Sequence, residues 1–133
     1  MDSITIDSNI TTGGYYGVVV YGNTGASSAN NKGFLVRNNT INNAYTYGLY
    51  MYYIYNPCKV LYNTISMNQA NVSTGYGLYY YYCQNSNAGI STEIIGNKII
   101  NVQYMAMYIY YNASTATAPT KIYNNAIYGN MSY

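Results

Sequence analysis

Val36-Arg37-Asn38-Asn39-Thr40-Ile41 is the stretch on which the fold turns, because it keeps returning. Related hexamers are Val60-Leu61-Tyr62-Asn63-Thr64-Ile65, Ile94-Ile95-Gly96-Asn97-Lys98-Ile99 and Ile122-Tyr123-Asn124-Asn125-Ala126-Ile127. A degenerate first copy is Thr5-Ile6-Asp7-Ser8-Asn9-Ile10. With Ser8, Asn39, Asn63, Asn97 and Asn125 as the reference position, the spacings are 31, 24, 34 and 28 residues. A period of roughly 29 residues signals a solenoid.

A second motif rides on the same period: Tyr16-Gly17-Val18, Tyr47-Gly48-Leu49, Tyr76-Gly77-Leu78 and, altered, Met105-Ala106-Met107. The Gly or Ala follows the reference position by 9, 9, 14 and 9 residues, so one five-residue insertion within Met67 to Gly75 accounts for the exception. Two motifs in register make a chance origin hard to sustain.

Strand formers dominate, Asn and Gly punctuate, and no helical stripe recurs. The Asn motif reads as strand, sharp turn, strand. Thr5, Val36, Val60, Ile94 and Ile122 precede the turn, and Ile10, Ile41, Ile65, Ile99 and Ile127 follow it as an inward aliphatic stack. Asn suits such a turn because it tolerates left-handed backbone and bonds locally. Stacking would place Asn39, Asn63, Asn97 and Asn125 above one another as an amide ladder. After the Gly, alternation sends Val18, Leu49, Leu78, Met107 and then Val20, Met51, Tyr80, Ile109 inward. It sends Val19, Tyr50, Tyr79, Tyr108 and then Tyr21, Tyr52, Tyr81, Tyr110 outward, as two tyrosine ladders on one face. Tyr80 is the awkward inward member, since its buried hydroxyl needs a partner.

The 133 residues suffice for one domain with a core. Only 8 are charged (5 Lys+Arg, 3 Asp+Glu), with a net charge of +2. That excludes the concentrated basic patch of a nucleic-acid binder. High apolar content argues against disorder. No apolar run approaches 18 residues, so membrane insertion by a helix is not expected. Met1-Asp2-Ser3-Ile4 shows no leader pattern, so an exported form would be a mature piece or an excised segment. Tyr133 stands where the next Tyr-Gly strand would begin, so the sequence reads as a fragment of a longer solenoid, uncapped at its C-terminus.

Lys59, Glu93 and Lys121 all stand four residues before the reference Asn, a column of alternating charge. Cys58 and Cys83 fall after the tyrosine strands of adjacent repeats. Either they form a disulfide, worth about 3 kcal/mol for such a loop, or they are two unpaired thiols. With no His, and with two thiols alone, no metal site and no cofactor is expected. Asn-x-Ser/Thr sequons start at Asn9, Asn38, Asn71, Asn112 and Asn130, as an Asn-rich composition produces. Asn23 to Gly33, Gln84 to Thr92 and Asn112 to Thr120 read as loops of variable length, a usual place for binding.

The Asn-x-Ile turn, the Tyr-Gly-Leu strand and the ~29-residue period resemble right-handed parallel β-helix repeats across essentially Ile4 to Tyr133. The resemblance implies an all-β solenoid of about four to five coils. Its Asn- and Tyr-rich, charge-poor character is similar to bacterial extracellular and cell-surface adhesin-type β-helices. Polysaccharide lyases and hydrolases are the other broad group, so a non-catalytic part of such an enzyme is the alternative. Catalysis within this chain is not expected. Glycoside hydrolysis needs two carboxylates about 5–9.5 Å apart, and only Asp2, Asp7 and Glu93 are present. Without His there is no Ser-His or Cys-His pair. The expected partners are an extracellular polysaccharide or other surface, met by Tyr50, Tyr52, Tyr79, Tyr81, Tyr108 and Tyr110, together with adjoining coils or attachment proteins of a parent chain.

Overall fold

The computed structural model describes residues 4–22, 33–55, 57–70, 73–85, 89–112 and 114–129. These form fourteen strands and no helix. In chain order the strands are β1 Ile4–Asp7, β2 Ile10–Thr12, β3 Tyr16–Tyr21, β4 Phe34–Arg37, β5 Thr40–Ala44, β6 Tyr47–Tyr52 and β7 Cys58–Leu61. They continue as β8 Thr64–Met67, β9 Tyr76–Tyr81, β10 Glu93–Ile95, β11 Lys98–Ile100, β12 Met105–Tyr110, β13 Lys121–Tyr123 and β14 Ala126–Tyr128.

The strands sort into three sheets by strict rotation. Sheet A runs β1-β4-β7-β10-β13, sheet B runs β2-β5-β8-β11-β14, and sheet C runs β3-β6-β9-β12. Every pairing between these strands is parallel. The protein is therefore an all-β, all-parallel arrangement of the parallel β-solenoid type.

A two-residue turn joins each A strand to its B strand. Its first residue is left-handed in every repeat: Ser8, Asn38, Tyr62, Gly96 and Asn124 have φ between 55° and 68°. The second is the ladder asparagine. Left-handed backbone was expected of the reference Asn itself, but it belongs to the residue before. The ladder Asn instead turns its amide inward. Asn63 Nδ2 donates to Val36 O at 3.0 Å and to Asn97 Oδ1 at 2.9 Å. Its Oδ1 accepts from the backbone N and the Nδ2 of Asn39 at 3.0 and 2.9 Å. Asn39, Asn97 and Asn125 repeat the pattern toward Ile6 O, Val60 O and Ile94 O. The expected ladder is thus present, and it gives the buried amides Asn39, Asn63 and Asn97 their hydrogen-bond partners.

The ladder also corrects the first repeat. Asn9, not Ser8, donates its backbone N–H and its Nδ2 to Asn39 Oδ1, each at 3.0 Å. Register follows: Ile6 pairs with Val36 and Thr11 with Ile41. Thr5 and Ile10 are therefore not members of the inward stacks, and Ile10 is 75% exposed. The remaining stack holds as expected. Val36, Val60 and Ile94 line one wall, and Ile41, Ile65 and Ile99 the next. Ile122 and Ile127 keep the register on β13 and β14, which pair on one side only among the described residues, and both are exposed.

The recurrent Gly has a packing cause. A Cβ on Gly17, Gly48 or Gly77 would overlap the Cγ2 of Ile41, Ile65 or Ile99. It would also press on a backbone oxygen of the following repeat. Sheets B and C converge at this seam, and the two motifs seen in sequence are the two sides of one contact.

Candidate functional site

Sheet C carries the tyrosine face. Leu49, Met51, Leu78 and Tyr80 are buried beneath it, as alternation requires, and Val18, Met107 and Ile109 pack against the same core. The outward rings stand in straight columns because the sheet pairs in register: Tyr50 with Tyr79 with Tyr108, and Tyr52 with Tyr81 with Tyr110. Ring centroids are 5.2 Å apart for Tyr50 and Tyr79 and 5.1 Å for Tyr79 and Tyr108. They are 5.3 Å apart for Tyr52 and Tyr81 and 5.4 Å for Tyr81 and Tyr110. Interplanar angles are 4° for the first pair in each column. All six tyrosines singled out from sequence are thus brought together on one face.

Two further columns flank them. Tyr16, Tyr47 and Tyr76 stack at 5.2 and 5.3 Å on one side. Tyr53, Tyr82 and Tyr111 stack at 5.2 and 4.4 Å on the other. The Tyr before each Gly was a visible signal for the first column. The signal for the second was the extra Tyr after each strand, in Tyr52-Tyr53, Tyr81-Tyr82 and Tyr110-Tyr111. Tyr53, Tyr82 and Tyr111 are left-handed, with φ of 52°, 51° and 49°. This bend folds their rings back beside the preceding column, as Tyr52 and Tyr53 show with centroids 4.2 Å apart.

Stacking changes what the face offers. Interior rings turn their planes toward the rings above and below, so edges and hydroxyls meet solvent. Crowding also raises the phenol pKa values. Burial, then neighbouring tyrosines, push Tyr50 and Tyr76 up to about 12. Burial likewise raises Tyr79 and Tyr47. A hydrogen bond to Tyr53 is the leading cause of the rise at Tyr52. The face is neutral and rich in protonated hydroxyls.

The described charges lie elsewhere. Asp7, Arg37, Lys59, Glu93 and Lys121 are on sheet A, and Lys98 is on sheet B. Lys59, Glu93 and Lys121 form the expected column, with Lys59 Nζ 3.2 Å from Glu93 Oε2. The corrected register adds a pair that the sequence reading missed: Arg37 Nε lies 2.7 Å from Asp7 Oδ2. That contact holds the Asp7 carboxyl below its ordinary value. Asp7 and Glu93 stand three strands apart on sheet A, roughly 14 Å at the usual strand spacing, and each faces its own cation. Asp2 lies outside the described residues. Among the described residues no group of three or more His, Cys, Asp or Glu could hold a metal, and no helix is long and apolar enough to cross a membrane.

Cys58 and Cys83 are buried free thiols, so the disulfide considered from sequence is not formed. Cys83 Sγ instead donates toward the carbonyls of Tyr81 and Met51 at 3.4 and 3.6 Å. Burial raises both thiol pKa values, that of Cys83 to about 12, which leaves them inert at neutral pH. The same pocket resolves Tyr80, which is 1% exposed. Its hydroxyl is hydrogen-bonded with Thr92 and Cys83. The loop Asn23 to Gly33 lies outside the described residues except for Gly33. In the loop Asn112 to Thr120, the Asn112 Nδ2 donates to Thr120 Oγ1 at 2.8 Å. Of the sequons, Asn71 and Asn130 lie outside the described residues, and the Asn9 amide is committed to the ladder.

No family model, no curated protein and no solved structure matches this chain.

Proposed function

We propose that the chain is a segment of a secreted bacterial cell-surface protein built as a right-handed parallel β-helix of about four to five coils. It acts as an adhesin or stiff stalk whose tyrosine face contacts glycans. The observation that carries this reading is the uncharged face of sheet C, on which stacked tyrosines continue from strand to strand without a Lys, Arg, Asp or Glu. A monomer rarely shows so many ordered aromatics at its surface without a use for them. The hydroxyl edges offer hydrogen bonds to sugars, and the Asn ladder gives the stiffness that a stalk requires.

A glycan array probed with the chain, and with Tyr52, Tyr81 and Tyr110 changed together to Ser, tests the proposal. Binding that disappears in the triple variant while the β-sheet circular dichroism persists supports recognition by this face. Binding by neither protein removes the recognition role and leaves the stalk.

A further inference from the structure

The tyrosine columns have a direction, a period and a chemistry, and together these restrict the ligand. The direction is that of the solenoid axis, since each column links the same position on successive strands. The one register shift within a pairing falls between β5 and β8 in sheet B, and the pairings of sheet C carry none. The period along both central columns lies between 5.1 and 5.4 Å. The two columns run side by side, with Tyr50 and Tyr52 5.7 Å apart and Tyr79 and Tyr81 5.6 Å apart. The chemistry is a double row of phenol edges and hydroxyls with no ionic group.

Ring-face stacking against a sugar is not what an interior tyrosine here can supply, because its faces are occupied by other tyrosines. Hydroxyl contacts repeated at one interval are what it can supply. A ligand that gains from every strand must present its own hydroxyls at that interval along a straight line. A flat chain of β-(1→4)-linked pyranoses does so. Its rings advance by about one strand spacing each, and their equatorial hydroxyls project from both edges. An α-(1→4) chain coils away from a straight column after a few sugars. A polyuronate brings a carboxylate per sugar, and the described cations, Arg37, Lys59, Lys98 and Lys121, stand on the other two sheets.

We infer that sheet C binds a neutral, extended β-(1→4)-linked polysaccharide of the cellulose or chitin type. The chain lies parallel to the solenoid axis, with one sugar for each strand of the sheet and its hydroxyls bonded to the Tyr50-Tyr79-Tyr108 and Tyr52-Tyr81-Tyr110 columns. This assignment rests on the proposed recognition role and names its ligand class.

Calorimetric titration of the chain with cellobiose, cellotetraose, cellohexaose and chitohexaose tests it, with maltohexaose and a hexagalacturonate as further arms. Contacts that add along the column should raise affinity at least about tenfold from cellobiose to cellotetraose, or about 1.4 kcal/mol. Tyr79→Phe with Tyr81→Phe keeps the ring stacks and removes the central hydroxyls. It should lower cellohexaose affinity by about tenfold or more, with thermal unfolding unchanged. Affinity that ignores chain length, or a double Phe variant that binds as well as the native chain, overturns the assignment. Preference for maltohexaose or hexagalacturonate also overturns it, while leaving the recognition role standing. Silence toward every glycan on the array removes both.

Discussion

Asn63 commits its whole amide to buried partners, and that fixes what its loss would cost. Truncation to Ala takes the ladder partner from the Asn39 backbone N–H and the Val36 carbonyl, and it leaves the Asn39 amide only Ile6 O and the Asn97 oxygen only the backbone N–H of residue 63. Each buried orphan costs about 1–3 kcal/mol, so Asn63→Ala should destabilise by at least about 2 kcal/mol. Asn125→Ala should cost clearly less, because Asn125 is only partly buried. Urea unfolding of the two variants decides the matter, and equal losses would contradict the ladder as a source of stability. Thr11 is the converse case. It stands in the column of Ile41 and Ile65, and its buried hydroxyl has no partner among the described residues. Thr11→Val removes the stranded oxygen at nearly constant shape and should stabilise by about 1 kcal/mol, seen as a raised urea midpoint.

At the scale of strand and turn, the seam between sheets B and C governs tolerance. Gly48→Ala would drive a methyl into Ile65 Cγ2 and the Gly77 carbonyl. Overpacking of this kind costs about 1–3 kcal/mol. The reverse change Ala106→Gly should be mild, because it removes one buried methyl and introduces no overlap. Denaturant midpoints for the pair check this, and a harmless Gly48→Ala would remove the seam as the reason for the motif. Much of this element was legible in the chain: period, Asn turn, inward Ile and outward Tyr all follow from residue type and spacing. The first repeat was not. Matching Ile10 to Ile41 satisfied hydrophobicity, while matching Asn9 to Asn39 satisfied hydrogen bonding, and the two choices differ by one residue. A one-residue slip exchanges the faces of a strand, so the Asp7–Arg37 ion pair was hidden with it. Ring orientation was also beyond the sequence, since alternation says which side a Tyr takes and not which way its plane turns. That orientation makes the tyrosine face rows of ring edges and hydroxyls.

For the whole molecule, the main titrating feature near the upper end of the pH scale is the tyrosine face. Unfolded, its phenols ionise near pH 10. Folded, Tyr50 and Tyr76 hold their protons to about 12, first because burial disfavours the phenolate and then because neighbouring tyrosines do. Above pH 10 the folded chain therefore binds more protons than the unfolded one, and stability falls as pH rises. Their contribution is fully present below about pH 10 and is lost as pH climbs through the folded values near 12. The urea midpoint should accordingly stay level through neutral and mildly alkaline solution and drop steeply beyond about pH 10. The described lysines lie on sheets A and B, so a variant on sheet C tests the tyrosines alone. Tyr50→Phe with Tyr79→Phe removes two of the raised phenols and keeps their ring columns, and it should flatten the alkaline slope. An unchanged slope in that variant would mean that the stacked hydroxyls are not protected from ionisation by the fold.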